Sequence, residues 1–269
     1  MCDVITKKKS RVKMKYFLDF RKDLDSFWIY SLLLYYDMEE TIYEDDYDAI
    51  FIENEYICRE PTSKKEKLSR FFTISDFTPD HYAEIKKELE DSGAIQIEPT
   101  YRGWGKILHQ RRNICFFSDE SIGYRYSNQI IKSTPLEKCP TAKHLLELVN
   151  LSLGTNFNGV LVNIYVDGTK YISPHSDEEK ALDPETNMVA GICYGPGVRT
   201  FRIRKISEDK NKKGEIILDL DHEPCTLIVM EGDFQKHYTH EIPPLLKTEM
   251  LDQRRNSERI SLTFRHHTE

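Results

Sequence analysis

From residue 160 onward, apolar positions recur in short runs cut by turn residues, too short for helices and spaced for strands. Eight strands are predicted, at 160–166, 171–174, 188–194, 200–206, 215–220, 225–230, 237–242 and 259–265. Asp167-Gly168, Gly195-Pro196-Gly197, Lys213-Gly214 and Glu231-Gly232-Asp233 punctuate them. Many short strands with such turns build a sandwich or barrel, and eight suit a double-sheet jelly roll. The last strand alternates strictly. Ile260, Leu262 and Phe264 share one face, and Arg259, Ser261, Thr263 and Arg265 share the other.

Upstream the period changes. Pro140–Leu153 predicts a helix with Leu145, Leu146, Val149 and Leu153 on its apolar stripe. Thr78 before Pro79 predicts an N-cap and first helical position, with Ile85 and Leu89 buried and Gly93 as the stop. Residues 16–36 carry Phe17, Phe20, Leu24, Phe27, Trp28 and Leu32 near helical spacing, and a short strand is expected at Ala49–Ile52. The run Glu60–Lys65 reads as a linker. The expected class is α+β, mainly β, with helices flanking the jelly roll on its N-terminal side. Residues 1–70 form an extension of open role, and residues 71–269 the main domain, with its core at about 158–269.

Composition narrows the setting. The chain has 269 residues, 39% hydrophobic and 31% charged, with a net charge of −7. The acidic balance argues against general coating of nucleic acid but leaves room for a local basic groove. The six cysteines form no C-x-x-C pair, so reduced thiols in an intracellular protein are expected. The apolar run Phe27–Tyr36 is too short to span a bilayer, and the basic stretch Lys7–Lys15 is followed by no signal-peptide core. A soluble monomer of nucleus or cytoplasm, without membrane contact, is expected. The basic stretch itself reads as an import or nucleic-acid tail or as a solvated terminus.

The candidate chemistry starts at His175-Ser176-Asp177. Residues two apart in extended chain point the same way, so an imidazole and a carboxylate would face one point. An open iron site of two histidines and one carboxylate needs a second histidine. His237 and His240 compete for that place, and His240 is preferred because it precedes the Ile-Pro-Pro bend as a strand-end ligand would. The polar face Arg259, Ser261, Thr263 and Arg265, turned inward, would need an anionic partner, and a small dicarboxylate suits paired guanidiniums. Asn163 and Tyr165, also two apart, either join that face or lie on a wet one.

Residues 99–134 differ in texture. Tyr101, Trp104, Tyr124 and Tyr126 interleave with Arg102, Lys106, Arg111, Arg112, Arg125 and Lys132. Cations contact phosphates and aromatics stack on bases, so the pattern suits nucleic acid, although exposed Tyr and Arg also mark protein interfaces. A second basic run, Arg199, Arg202, Arg204, Lys205, Lys210, Lys212 and Lys213, reads either as a phosphate contact or as a solvated hairpin.

Asn163-x-Tyr165, His175-x-Asp177, His240 and Arg259-x-Ser-x-Thr-Phe-Arg265, in this order, resemble the AlkB family of Fe(II)/2-oxoglutarate dioxygenases, most of all its animal-type DNA-repair demethylases. The likeness covers roughly residues 95–269. It implies a double-stranded β-helix (jelly roll), with a substrate-recognition part at about 95–135. It also implies Fe(2+), 2-oxoglutarate and O2 as the reagents. His175, Asp177 and His240 would hold iron, and Asn163, Tyr165, Arg259, Ser261, Thr263 and Arg265 the 2-oxoglutarate. The family usually has Asn where Ser261 stands, so one co-substrate hydrogen bond would be lost or made through water. Tyr124, Tyr126 and Ser127 resemble the family's base pocket, and Glu178 and Glu179 its acidic base contacts. Trp104-Gly105-Lys106 resembles its duplex-inserting finger, where a relative has Phe for Trp104. The implied partner is alkylated DNA of the 1-methyladenine or 3-methylcytosine type. The alternatives are an RNA demethylase of the same chemistry and a non-catalytic nucleic-acid-binding jelly roll.

Overall fold

The computed structural model describes residues 67–268 apart from 104, 127–128, 178–187, 208 and 210–211; before residue 67 it describes the backbone of Thr6–Lys8, Met14–Tyr16, Leu32–Leu34 and Asn54–Arg59. All eight strands expected after residue 158 form, from Gly159–Tyr165 to Arg259–Arg265. They divide between two sheets. The larger has eight strands in the order Thr6–Lys8, Asn54–Arg59, Ser69–Ile74, Leu227–Glu231, Val189–Tyr194, Arg259–Arg265, Gly159–Tyr165, Asn113–Phe117. The smaller has four, in the order Ile172–His175, Tyr238–Ile242, Arg199–Lys205, Ile216–His222. Every pairing within both sheets is antiparallel.

Three layers result. The helices Tyr82–Ser92 and Pro140–Leu153 cover one face of the large sheet, and the small sheet covers part of the other. Strand Gly159–Tyr165 is therefore buried at every position. Its alternation sorts side chains rather than exposing them. Val160, Val162 and Ile164 join the core beneath the helices, and Leu161, Asn163 and Tyr165 turn toward the small sheet. Strand Arg259–Arg265 runs antiparallel beside it, with Asn163 opposite Ser261 and Tyr165 opposite Arg259. Its Ile260, Leu262 and Phe264 lie in the same helix-side core, as the alternation predicts. Truncating one such residue to Ala would cost about 2–5 kcal/mol.

The helix Pro140–Leu153 has the predicted limits, with Leu145, Leu146, Val149 and Leu153 buried, and Gly154 ends it at φ 63°. The other helix starts later than expected, at Tyr82, and stops at Gly93 with φ 66°. Thr78 does not cap it. Its hydroxyl is 2.6 Å from the Tyr194 hydroxyl in the interior, a tertiary bond that removes it from capping. Within 16–36, Leu32–Leu34 is extended and pairs with Met14–Tyr16, where helical spacing was read. An unbroken apolar run carries no helix-specific signal. The rest of that stretch, and the strand expected at Ala49–Ile52, lie outside the described residues. Asn54–Arg59 pairs with Ser69–Ile74 and so adds to the large sheet.

The three arginines of the second basic run are consumed within the protein. Buried Arg199 donates to the carbonyls of Asp167 and Pro243. Arg202 pairs with Asp219 and Arg204 with Glu241. Cys115, Cys139, Cys193 and Cys225 are free thiols. Burial pushes the pKa of Cys139 up to about 12 and that of Cys225 to about 11, which disfavours the thiolate form at both. No helix among the described residues is long and apolar enough to cross a membrane.

Candidate active site

Residues of both sheets line one cavity of about 550 Å³, its open mouth included. At one end the strands Ile172–His175 and Tyr238–Ile242 place His175 directly opposite His240. The two rings lie 4.3 Å apart between centroids. Asp177 follows just past the strand end. Its Oδ1 is 3.7 Å from His175 Nε2 and its Oδ2 is 3.6 Å from His240 Nε2. The candidate ligand atoms all lie within 4.8 Å of one another, and no other such group of His, Cys, Asp and Glu occurs among the described residues. A single divalent ion fits that span, with one face left for other ligands. His237 sits in the short helix Phe234–His237 and does not line the cavity.

The surroundings prepare the three groups for a metal. His175 Nδ1 is 2.9 Å from the Ser173 carbonyl, a contact that places the ring proton on Nδ1 and frees Nε2. His240 stacks on Phe201 at 5.4 Å. The backbone N–H of Asp177 donates to Gln235 Oε1 at 2.9 Å. Burial, reinforced by His240, pushes the His175 pKa down to about 3 against the pull of Asp177. Burial also lowers His240, again against Asp177. For Asp177, burial alone would raise the carboxyl, but Arg265, His240, His175 and Arg112 outweigh it and hold the group below its usual value. Two neutral imidazoles and one carboxylate are the protonation states that metal binding requires.

The inward polar face has the expected composition. Asn163, Tyr165, Arg259, Ser261, Thr263 and Arg265 all line the cavity. Its two arginines divide the space. Arg265 reaches the metal end, where its Nη2 is 2.6 Å from Asp177 Oδ1. Arg259 lies 1% exposed, with Nη2 2.8 Å from His222 Nδ1 and its guanidinium 5.5 Å from the Tyr165 ring. Its Nε and Nη1 have no acceptor among the described residues. A buried cation with unmet donors is costly unless an anion completes it.

Two charged or titratable lining residues escaped the sequence reading. Arg112, counted there among nucleic-acid-facing cations, is 2% exposed, and its Nε donates to Asn163 Oδ1 at 2.6 Å. The available signal was its position directly before the apolar strand Asn113–Phe117. His222, 1% exposed, closes the last strand of the small sheet, and nothing in its sequence context marked it. The cavity thus holds Arg112, Arg259 and Arg265 against one carboxylate, Asp177. That excess of positive charge suits a small dianion.

Tyr124 is buried on the cavity wall, its ring 5.4 Å from the Arg265 guanidinium. It belongs to the hairpin Gly123–Tyr126 with Gln129–Lys132. A second hairpin pairs Thr100–Gly103 with Lys106–His109, and Gly105 takes φ 72° at its turn. Lys106 is exposed, as are Arg102, Arg111, Arg125 and Lys132. Trp104, Ser127, Glu178 and Glu179, and the side chain of Tyr126, lie outside the described residues.

The 2OG-Fe(II) oxygenase superfamily matches residues 70–265. Among curated proteins, the chain is 27% identical over 188 residues to a DNA oxidative demethylase ALKBH2 of Arabidopsis thaliana, covering 62% of this chain and 56% of that protein. It is 26% identical over 187 residues to the human DNA oxidative demethylase ALKBH2, covering 68% and 66%. It is 28% identical over 164 residues to the human alpha-ketoglutarate-dependent dioxygenase alkB homolog 3, covering 59% and 53%. The matches thus span between about half and two thirds of these relatives' lengths. The chain belongs to the 2OG-Fe(II) oxygenase superfamily and, within it, to the AlkB family. The residues present fit both reagents in the superfamily's name: a His-Asp-His cluster for Fe(II), and a buried, under-satisfied Arg259 for a carboxylate of 2-oxoglutarate.

Proposed function

We propose that this chain oxidatively demethylates N-alkylated bases in DNA, of the 1-methyladenine and 3-methylcytosine type, releasing formaldehyde, succinate and CO2. The observation that carries the reading is that one cavity holds the His175-Asp177-His240 cluster, the unmet donors of Arg259 and the buried Tyr124. The relatives named as DNA demethylases support the substrate class.

In this reading residues 71–269 form the catalytic domain. His175, Asp177 and His240 hold Fe(II). Arg259 binds one carboxylate of 2-oxoglutarate, with Asn163, Tyr165, Ser261, Thr263 and Arg265 shaping the rest of its site. Iron and 2-oxoglutarate, when bound, supply the O2-dependent oxidation that hydroxylates an N-methyl group. The hydroxymethyl carbon then leaves as formaldehyde: its C–N bond breaks, the electron pair returns to the ring nitrogen, and the hydroxyl proton is released. The methylated atom is out of reach inside a duplex, so the base must be flipped out. Tyr124, with Tyr126 and Ser127, stacks on and holds the flipped base. Glu178 and Glu179 face its cationic edge and favour charged lesions. Trp104 fills the gap left in the duplex, and Lys106 with Arg102, Arg111, Arg125 and Lys132 meets the phosphates.

The test is a panel of methylated oligonucleotides, in duplex and single-stranded DNA and in RNA, incubated with Fe(II), 2-oxoglutarate and O2. Product bases are scored by mass and succinate is measured in parallel. Conversion of 1-methyladenine to adenine in DNA is expected. Turnover on RNA alone would move the assignment to RNA. No succinate, despite measured iron binding, would leave a nucleic-acid-binding module. In the same panel, Trp104→Ala is expected to lose more activity on duplex than on single strands, and Glu179→Ala to narrow the preference for charged lesions.

A further inference from the structure

His222 and Arg259 come from different sheets and meet at one end of the cavity. His222 closes the strand Ile216–His222 of the small sheet, and Arg259 opens the strand Arg259–Arg265 of the large one. Each side chain is 1% exposed. The imidazole is fixed at both nitrogens. Its Nε2 lies 2.8 Å from the Thr226 carbonyl and its Nδ1 2.8 Å from Arg259 Nη2. A carbonyl can only accept, so Nε2 carries the proton and Nδ1 presents its lone pair to the guanidinium.

We propose that His222 is a positioning residue for the co-substrate: it pins Arg259 by Nη2 and so fixes the guanidinium, whose Nε and Nη1 lack acceptors among the described residues, in the orientation that meets a carboxylate of 2-oxoglutarate. The inference rests on the proposed function, which puts that carboxylate at Arg259. Three observations bear on it. The Tyr165 ring, 5.5 Å from the guanidinium, is a second restraint on Arg259. The pinned atom leaves Nε and Nη1 without an acceptor among the described residues, so the fixed orientation does not consume the donors that binding needs. Burial, with the charge of Arg259 added, pushes the His222 pKa down to about 3, so the ring stays neutral and its Nδ1 remains an acceptor at working pH. An arginine with rotamer freedom must be ordered as the anion arrives, whereas one already held loses less freedom on binding.

The experiment compares the wild-type chain with His222→Phe and His222→Asn. Phe keeps the ring and removes the acceptor. Asn places an oxygen where Nδ1 stood and loses the bond to Thr226. Binding of 2-oxoglutarate to the Mn(II)-loaded protein is measured by calorimetry, and KM and kcat on a methylated oligonucleotide alongside it. His222→Phe is expected to weaken 2-oxoglutarate binding about tenfold or more, the worth of one hydrogen bond to a charged group. Its KM for 2-oxoglutarate should rise more than its kcat falls. His222→Asn should recover most of the affinity. A merely structural role for His222 would injure both variants alike, since both lose the Thr226 bond, and that result would overturn the inference. Unchanged affinity in His222→Phe would overturn it too. Failure of the wild-type protein to bind 2-oxoglutarate would overturn the proposed function first, and this inference with it.

Discussion

Asp177 and Arg265 lie 2.6 Å apart, carboxylate to guanidinium, with side-chain exposures of 1% and 3%. One oxygen of a candidate metal ligand is thereby held by a residue of the C-terminal strand, and the other points to His240 at 3.6 Å. Removing Arg265 would leave a buried carboxylate without its strongest partner. Arg265→Ala is expected to lower folding stability by about 3–5 kcal/mol, the usual cost of breaking a buried pair from one side. It should also weaken divalent-metal affinity about 10–100-fold, because a ligand's hydrogen-bond partner sets its orientation. Urea unfolding and a Mn(II) titration read the two effects separately, and unchanged values in both would show that the pair is not structural.

The choice of His240 over His237 is directly testable. His240 lies opposite His175 in the strand pairing, while His237 ends a short helix and does not line the cavity. His240→Ala should abolish Mn(II) binding at concentrations that saturate the wild type. His237→Ala should bind within about twofold of it, since a residue outside the cluster contributes no ligand bond. Calorimetry on the two variants decides the matter, and the reverse pattern would make His237 the ligand.

What was legible in the sequence, and what was not, follows a physical division. The C-terminal strand was readable because a period of two and the cost of burying charge act together: Arg259 and Arg265 had to face an anion or water, and Ile260, Leu262 and Phe264 had to face the core. The pair His175 and Asp177 was readable from spacing. Arg112 was not, since a cation in a run of cations carries no mark of direction until the apolar strand after it is placed. His222 was missed because its role depends on a contact across two sheets, 37 residues apart in the chain. The helix start at Thr78 was misread because a capping signature describes a local option, and the Tyr194 hydroxyl competes for the same side chain.

Arg112 is the missed residue with the clearest consequence. Its Nε donates to Asn163 Oδ1 at 2.6 Å, and both side chains line the cavity. Arg112→Ala would remove a charged donor from Asn163 and one of the cavity's three cations. A lost hydrogen bond to a charged group is worth about 1.5–3 kcal/mol. The apparent affinity for 2-oxoglutarate should therefore fall at least about tenfold, and Arg112→Lys should not restore it, because an ammonium cannot reproduce the planar fork. Full rescue by lysine would reduce the role of Arg112 to charge alone.

Acid sensitivity should trace in part to a buried neutral histidine outside the metal cluster. His267 is 4% exposed, and burial, followed by Arg265 and then His266, pushes its pKa down to about 3. In the unfolded chain a histidine titrates near 6.5. Between those values the unfolded state binds a proton that the folded state refuses. The stabilisation from His267 is therefore complete above about pH 6.5 and is lost as pH falls toward 3, at up to about 1.4 kcal/mol per pH unit. The ring of His267 meets Phe116 edge-on at 4.9 Å, and its Nε2 has no hydrogen-bond partner among the described residues, so His267→Phe keeps the packing without the titration. Urea midpoints from pH 7 to pH 5 should fall less steeply for this variant than for the wild type. Parallel slopes would mean that the folded His267 takes up its proton as readily as the unfolded one.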